Sequence, residues 1–196
     1  MTRGMSVPSN IRAHAFVTLG KFCLRNKPLA REHINIYLRE LHAPGHSYDY
    51  GKIDHKIVPD SEKVSRESTI CSVNSVKSNA LIVLGDLCIR YTNLVDRHIG
   101  SLASCLQDPD PLVRKHALIL LTQLLLQDFL KWRGMLLFRF IATSTDTNPE
   151  ISELARNILT KTLVSKFPSD FYCLHFAESV LVFNECEDHP LYAAGR

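Results

Sequence analysis

The sequence carries one helical pattern three times, and this repetition constrains the fold more than any other feature. In each copy apolar residues recur at intervals of three, four and seven, which is the periodicity of an amphipathic helix. A β-branched residue opens the pattern, a cation follows it, and an alanine comes three residues after the cation. The matched positions are Ile11, Val76 and Val113; Arg12, Lys77 and Arg114; Ala15, Ala80 and Ala117; Phe16, Leu81 and Leu118; and Leu19, Leu84 and Leu121. A weaker fourth copy begins at Pro149.

The spacing of the copies indicates the kind of repeat. Successive copies are 65, 37 and 38 residues apart, and a period near 37 or 38 fits a two-helix repeat of the HEAT type. One such pair cannot bury its apolar face alone, so stability must come from stacking. We therefore predict an all-α fold, an α-solenoid of about four HEAT-type helix pairs with one long loop insertion. An ordinary helical bundle with accidental internal similarity is the alternative.

The long first interval predicts where the insertion lies. Residues 1–41 form the first repeat portion, and residues 42–70 carry prolines, glycines and mixed charges with few large aliphatic residues. We interpret 42–70 as a loop or disordered insertion. Three further HEAT-type repeats are predicted over residues 71–184, followed by a polar tail over residues 185–196.

Composition narrows the class of protein. The hydrophobic fraction is 45% and glycine occurs only 8 times, which disfavours turn-rich β folds and phosphate-cradling loops. Six cysteines occur without a CxxC pair, as expected for reduced thiols in an intracellular protein. The longest apolar stretches are too short to span a bilayer, so we expect a soluble nuclear or cytosolic protein with no membrane association.

Motifs of catalysis are missing from the sequence. It contains no Walker loop, GxGxxG, GxSxG or HExxH pattern, so we predict neither an enzyme nor a cofactor nor a small-molecule substrate. Histidines 42, 46 and 55 share the insertion with aspartates and offer an alternative, an enzyme with a histidine-based metal site. Their spacing matches no known ligand pattern, and we interpret them as polar loop residues, with no metal site.

The aligned cations have two interpretations. Arg12, Lys77 and Arg114 recur at one repeat position, so stacking places them in a ladder. In HEAT-type repeats a cation at such a position often pairs with an aspartate near the preceding turn, and Asp108 is placed to pair with Arg114. We favour this structural role over direct phosphate contact.

Other cations are better candidates for contact with DNA or chromatin. Lys21 and Arg25 lie near the end of the first long helix, Lys115 faces away from the apolar stripe, and Lys131 and Arg133 flank Trp132. The alternative for Arg25 is a favourable interaction with the helix dipole. No base-reading motif is visible, so any DNA contact should be to phosphates and independent of sequence.

Several stretches of the chain resemble one family. The run from Asp86 to Phe140 is the most specific, because it is long and contains an uncommon Lys-Trp-Arg-Gly element at residues 131–134. The segments concerned are 86–92, 95–96, 105–115, 118–122, 129–134 and 138–140, together with 11–20. They resemble the D-type HEAT-repeat subunit of condensin II rather than that of condensin I. The resemblance covers residues 7–41 and 71–184.

The resemblance implies a non-catalytic subunit that binds the kleisin and SMC subunits of condensin and acts in mitotic chromosome condensation. It also implies contact with duplex DNA and with histones in nucleosomes, and a nuclear, chromosome-associated location. Family members are much longer, so the chain resembles a fragment or a shortened form. The alternative from a different class is a generic α-solenoid adaptor for transport or trafficking.

Overall fold

The computed structural model describes residues 9–42, 60–167 and 169–184, with side chains described from residue 11 to 42 and for most positions from 75 onwards. Regular structure in these ranges is helical, without strands, which confirms the all-α prediction. The helices are α1 (Ser9–Arg25), α2 (Lys27–Leu41), α3 (Asp60–Arg90), α4 (Thr92–Val95), α5 (Ile99–Ser104), α6 (Pro111–Leu126), α7 (Gly134–Thr143), α8 (Pro149–Asn157) and α9 (Ser169–Phe183). No described helix is long and apolar enough to cross a bilayer.

Three helices begin with the same N-terminal capping arrangement. Asn26, Asp110 and Asn148 each precede a helix, and each side chain accepts a hydrogen bond from a main-chain N–H in the first turn. A proline stands in the first turn of all three helices, where its missing N–H costs nothing. Capping residue and proline together therefore fix where α2, α6 and α8 begin.

The helices form two layers. In one layer α1, α3, α6 and α8 lie side by side, and in the other lie α2, α5, α7 and α9. The repeated apolar positions face the interior: Val76, Ala80 and Leu84 in α3 are fully buried, as are Val113 and its counterparts in α6. The apolar residues of the repeated pattern in α3 and α6 therefore form the core of the stack.

Glycines let the helices of the first layer approach closely. A Cβ atom built on Gly20 of α1 would lie 2.7 Å from both methyl carbons of Val83 in α3. Gly85 of α3 holds the same position against Leu120 of α6, and a Cβ there would also clash. Val83 and Leu120 are one repeat apart, so successive helices pack through one recurring contact.

Trp132 packs inside the stack. Its side chain is 7% exposed and makes edge contacts with the rings of Phe140, Phe167 and Tyr172 at centroid distances of 5.7, 5.8 and 6.4 Å. The indole therefore connects the loop after α6 to α7, to the segment before α9 and to α9 itself.

One predicted boundary needs correction. Helix α3 begins at Asp60, so residues 60–70, predicted as part of the loop insertion, are helical. The segment 60–70 is polar and has no apolar stripe, which is why periodicity did not reveal it. Residues 43–59 and the predicted tail 185–196 lie outside the described residues, and the division of the chain into repeats stays a prediction.

Candidate nucleic-acid interface

Each aligned cation forms an ion pair with an acid that follows it by about thirty residues. These acids lie at the end of the second helix of the same pair or in the turn that leads to the next pair. The pairs are Arg12 with Glu40 at 2.7 Å, Lys77 with Asp108 at 2.9 Å, and Arg114 with Asp146 at 2.7 and 2.9 Å. We call these three contacts the ion-pair ladder.

The ladder differs from the prediction in its register. The carboxylate of Asp108 binds Lys77 of the preceding copy and not Arg114, so the predicted pairing is wrong. Arg114 reaches Asp108 only through the main-chain oxygen, to which it donates at 2.8 Å. The partner of Arg114 is Asp146, which lies in the turn between α7 and α8. Each aligned cation finds its acid at or just beyond the end of a second helix, because there the stack brings the chain back beside the first helix.

Burial and hydrogen bonding oppose each other at Asp146. Burial would raise its pKa, but hydrogen bonds from Arg114 and from the main chain of Asn148 hold the pKa below its ordinary value. The carboxylate therefore stays ionised and fixes the turn before α8. The ladder cations stabilise the fold through their ion pairs and are poor candidates for binding a ligand.

Two of the five predicted DNA contacts have acidic partners. Lys115 pairs with Glu150, and Arg133 lies 3.2 Å from Asp96. Lys131 is exposed and has no ion pair among the described side chains. Lys115 stands in the first turns of α6 and Lys131 beyond its end, about 16 Å of helix away or more. These three cations are therefore not one patch.

The other two predicted contacts belong to a group that the sequence did not reveal. Five exposed cations meet where α1 and α3 end and α2 begins, and none has an ion pair in the described part of the chain. They are Lys21, Arg25, Lys27, Arg31 and Arg90, and we call them the basic corner. The Tyr91 hydroxyl donates to the main-chain oxygen of Leu24 at 3.0 Å, and this bond joins the end of α3 to the end of α1.

Helix dipoles increase the positive potential on one side of the basic corner. Arg25 and Arg90 lie at helix C-termini, where a cation is favoured. Lys27 and Arg31 lie in the first turns of α2, which contain no acid in the first turn and carry the positive end of the dipole. An open depression of about 310 Å³ lies there, lined by Lys27, Pro28, Arg31 and Glu32. Two cations and one carboxylate therefore border the depression, at the positive end of the α2 dipole.

The described histidines and cysteines form neither a metal site nor a reactive thiol. They contain no group of three histidine, cysteine or acidic residues able to hold a metal ion. His42 is exposed, with Nε2 3.0 Å from the Ser101 hydroxyl, whereas His46 and His55 lie outside the described residues. Burial raises the pKa of the Cys88 and Cys105 thiols to about 11 and about 12, so neither is a nucleophile at neutral pH.

Two family models match the chain. A model described as non-SMC mitotic condensation complex subunit 1 matches residues 75–186. A model of the HEAT repeats of condensin-2 complex subunit D3-like proteins matches residues 1–41. The matches include both the ion-pair ladder and the basic corner.

Curated relatives agree with the family models. The chain is 38% identical over 190 residues to condensin-2 complex subunit D3-L of Xenopus laevis and 39% identical over 190 residues to condensin-2 complex subunit D3 of Mus musculus. Identity to condensin-2 complex subunit CAP-D3 of Arabidopsis thaliana is 27% over 177 residues. These alignments cover 97%, 97% and 90% of this chain, but only 11% of each relative. No solved structure matches the chain significantly.

Proposed function

Because this chain belongs to the family of non-SMC mitotic condensation complex subunits, we propose that it is a non-catalytic HEAT-repeat segment of a condensin II-like complex. In this proposal it associates with the kleisin and SMC subunits and works on chromosomes in the nucleus during mitotic condensation. The chain spans about a ninth of the length of the relatives it matches, so it would supply one part of such a subunit's surface.

The observation that supports a DNA contact is the basic corner. Its five cations are exposed and have no ion pair among the described side chains, whereas Lys115 and Arg133 would have to leave a carboxylate first. Cations without acidic partners can neutralise the phosphates of duplex DNA and so release its condensed counterions. We therefore assign the phosphate contact to the basic corner, and keep Lys131 as a separate candidate.

This contact is expected to be independent of base sequence. If all five cations meet phosphates, log K should fall with log salt at a slope of about −4.5. Affinity should then decrease steeply between about 50 and about 200 mM salt, alike for all duplex sequences. Contact with histones, by contrast, would depend on the presented peptide.

The test is fluorescence anisotropy of a labelled 30-base-pair duplex, about three helical turns, titrated with the full chain at several salt concentrations. The variant Lys21→Glu with Arg25→Glu should weaken binding of every duplex and reduce the magnitude of the salt slope by about two. Its matched control is Arg39→Glu with Lys161→Glu, which changes the net charge equally at exposed positions outside the basic corner. An equal loss in both variants would contradict the assignment.

The complex itself needs a separate experiment. Tagged protein purified from dividing cells should bring down SMC and kleisin subunits. Their absence, together with no measurable affinity for duplex DNA, would favour the generic α-solenoid adaptor instead.

A further inference from the structure

One half-buried arginine of the second layer lacks an acidic partner. Among the described side chains, seven lysines and arginines are buried or half-buried, and six of these form an ion pair with a carboxylate. The seventh is Arg139 of α7, and no described carboxylate pairs with it. Helix α7 lies between α5 and α9, so this site is not at an end of the stack. The six paired cations are Arg12, Lys77, Arg114, Lys115, Arg133 and Lys166.

Only one nitrogen of the Arg139 guanidinium is bonded. Its Nη1 donates to the main-chain oxygen of Ala103 in α5 at 3.2 Å and lies 3.4 Å from the side-chain oxygen of Gln107. Its Nε is buried and has no hydrogen-bond partner. Its Nη2 makes no hydrogen bond with the described residues either, but this atom is not shielded from solvent. The edge formed by Nε and Nη2 is therefore unused.

Arg114 shows what such an edge binds in this protein. Its Nη1 also donates to a main-chain oxygen, that of Asp108. Its Nε and Nη2 donate to the two carboxylate oxygens of Asp146 at 2.7 and 2.9 Å. Two parallel hydrogen bonds from one guanidinium edge to one carboxylate form a strong and geometrically specific contact. Arg139 therefore has the same main-chain bond as Arg114 but lacks the carboxylate.

A structural role at the end of α5 explains only part of this geometry. The bond from Nη1 to Ala103 holds α7 against α5, and it needs neither Nε nor Nη2. Burial lowers the pKa of Arg139 below its ordinary value, because the side chain loses contact with water. An arginine nevertheless stays charged at neutral pH, so a buried donor without an acceptor is unfavourable. The unused edge therefore favours a ligand that brings acceptor oxygens.

We propose that the Nε–Nη2 edge of Arg139 is a binding site for a carboxylate, held as Arg114 holds Asp146. One carboxylate oxygen accepts from Nη2 at the surface, and a small rotation of the guanidinium brings Nε to the other oxygen. A carboxylate is the partner of every other half-buried cation whose side chain is described. The proposal is independent of DNA contact, since Arg139 is not part of the basic corner.

The same carboxylate could come from two sources. Helix α9 ends close to the site, because the ring centroid of Phe183 lies 5.1 Å from that of Phe138, the residue before Arg139. Three acids follow in this chain within five residues of Phe183. They are Glu185, Glu187 and Asp188. The other source is an acidic side chain of another polypeptide, and the experiment has one arm for each source.

The test follows the Nε–H resonance of Arg139 by NMR in the full, isotope-labelled chain. The Arg114 resonance is the reference for an edge bound to a carboxylate. If the chain's own acids are the source, the Arg139 resonance lies near this reference. The variant Glu185→Gln with Glu187→Gln and Asp188→Asn then moves it away. If another polypeptide is the source, that variant leaves the resonance unchanged, and a capped tetraglutamate peptide shifts it saturably. Either result supports the carboxylate site.

A conservative variant separates this role from a structural one. In the chain without the three acids, Arg139→Lys keeps the charge but cannot make two parallel bonds. It should weaken tetraglutamate binding about tenfold, as followed at the side-chain amide of Gln107. Arg156→Lys is the matched control, since Arg156 is exposed and its Nε already donates to the main-chain oxygen of Ser144 at 3.2 Å.

Three results would overturn the proposal. They are an Arg139 resonance that responds in neither arm, an equal loss of peptide affinity in Arg156→Lys, and a larger shift with inorganic phosphate than with the peptide at equal ionic strength. The last result would assign the edge to a phosphate instead.

Discussion

The ion pair between Lys77 and Asp108 allows the most quantitative prediction. The side chains are 3% and 8% exposed and the charged atoms are 2.9 Å apart. At an effective dielectric constant of about 20 their attraction is about 6 kcal/mol, and much of it offsets the cost of removing two ions from water. Substitution of Asp108 removes the attraction but leaves Lys77 buried and charged.

Asp108→Asn removes the charge and keeps an oxygen that can accept the hydrogen bond from the Asp110 main chain, which measures 2.9 Å. We expect the free energy of unfolding to fall by about 3–5 kcal/mol, because a buried charge loses its partner. With an m-value of about 2 kcal/mol/M, the urea midpoint should fall by about 1.5–2.5 M. Urea titration followed by circular dichroism at 222 nm, the wavelength for helix, measures this directly.

The control is Asp96→Asn at the pair of Asp96 and Arg133, whose side chains are 43% and 39% exposed. That change should cost about 0–1 kcal/mol, because water screens the pair. Adding Lys77→Met to Asp108→Asn should restore most of the lost stability, since no buried charge then remains. The reasoning is refuted if Asp108→Asn costs no more than Asp96→Asn, or if Lys77→Met gives no recovery.

Two further predictions concern titrating groups. Cys173 is exposed, whereas Cys23, Cys88 and Cys105 are buried and burial raises the pKa of all three thiols. A thiol reagent should therefore modify Cys173 in the native protein and these three buried thiols only after unfolding, as mass spectrometry of peptides can show. Early modification of Cys105 would contradict this burial. The folded-state pKa of Asp146 is lowered, so its contribution to stability is present above its unfolded pKa of about 4 and is lost as pH falls further through the folded pKa. Asp146→Asn should therefore reduce the urea midpoint at pH 7 and flatten its decline below about pH 4; a decline parallel to that of the unchanged protein would refute this.

Much of the core could be predicted from sequence because the repeat fixes it. The positions of Ala80 and Ala117 are fully buried, as the aligned pattern predicts. The same pattern in α1 gives an exposed Ala15, since the sequence of a helix does not reveal whether a neighbour covers it. Periodicity predicts a loop at residues 60–70, which are helical, because a polar helix has no apolar periodicity.

The candidate site was harder to predict because it depends on contacts across the stack. Lys21 and Arg25 were found through their position on α1, but Arg90 joins them only when Tyr91 bonds to Leu24. The acids that pair with Lys115 and Arg133 lie 35 and 37 residues away in the sequence. Neither relation is visible in local spacing.

The ion-pair ladder also makes the stack unevenly stiff. Each pair connects a first-layer helix to the chain that returns from the second layer, so bending that separates the layers must stretch an ion pair. The ion pairs of Lys77 and Arg114 are shielded from water, whereas in the first pair the Arg12 side chain is 28% exposed. Water competes with the ion pair between Arg12 and Glu40, so this pair should separate at a lower force than the other two. Under load, the array should therefore flex first between the start of α1 and the end of α2, while the segment around α3 and α6 transmits tension as a rigid unit.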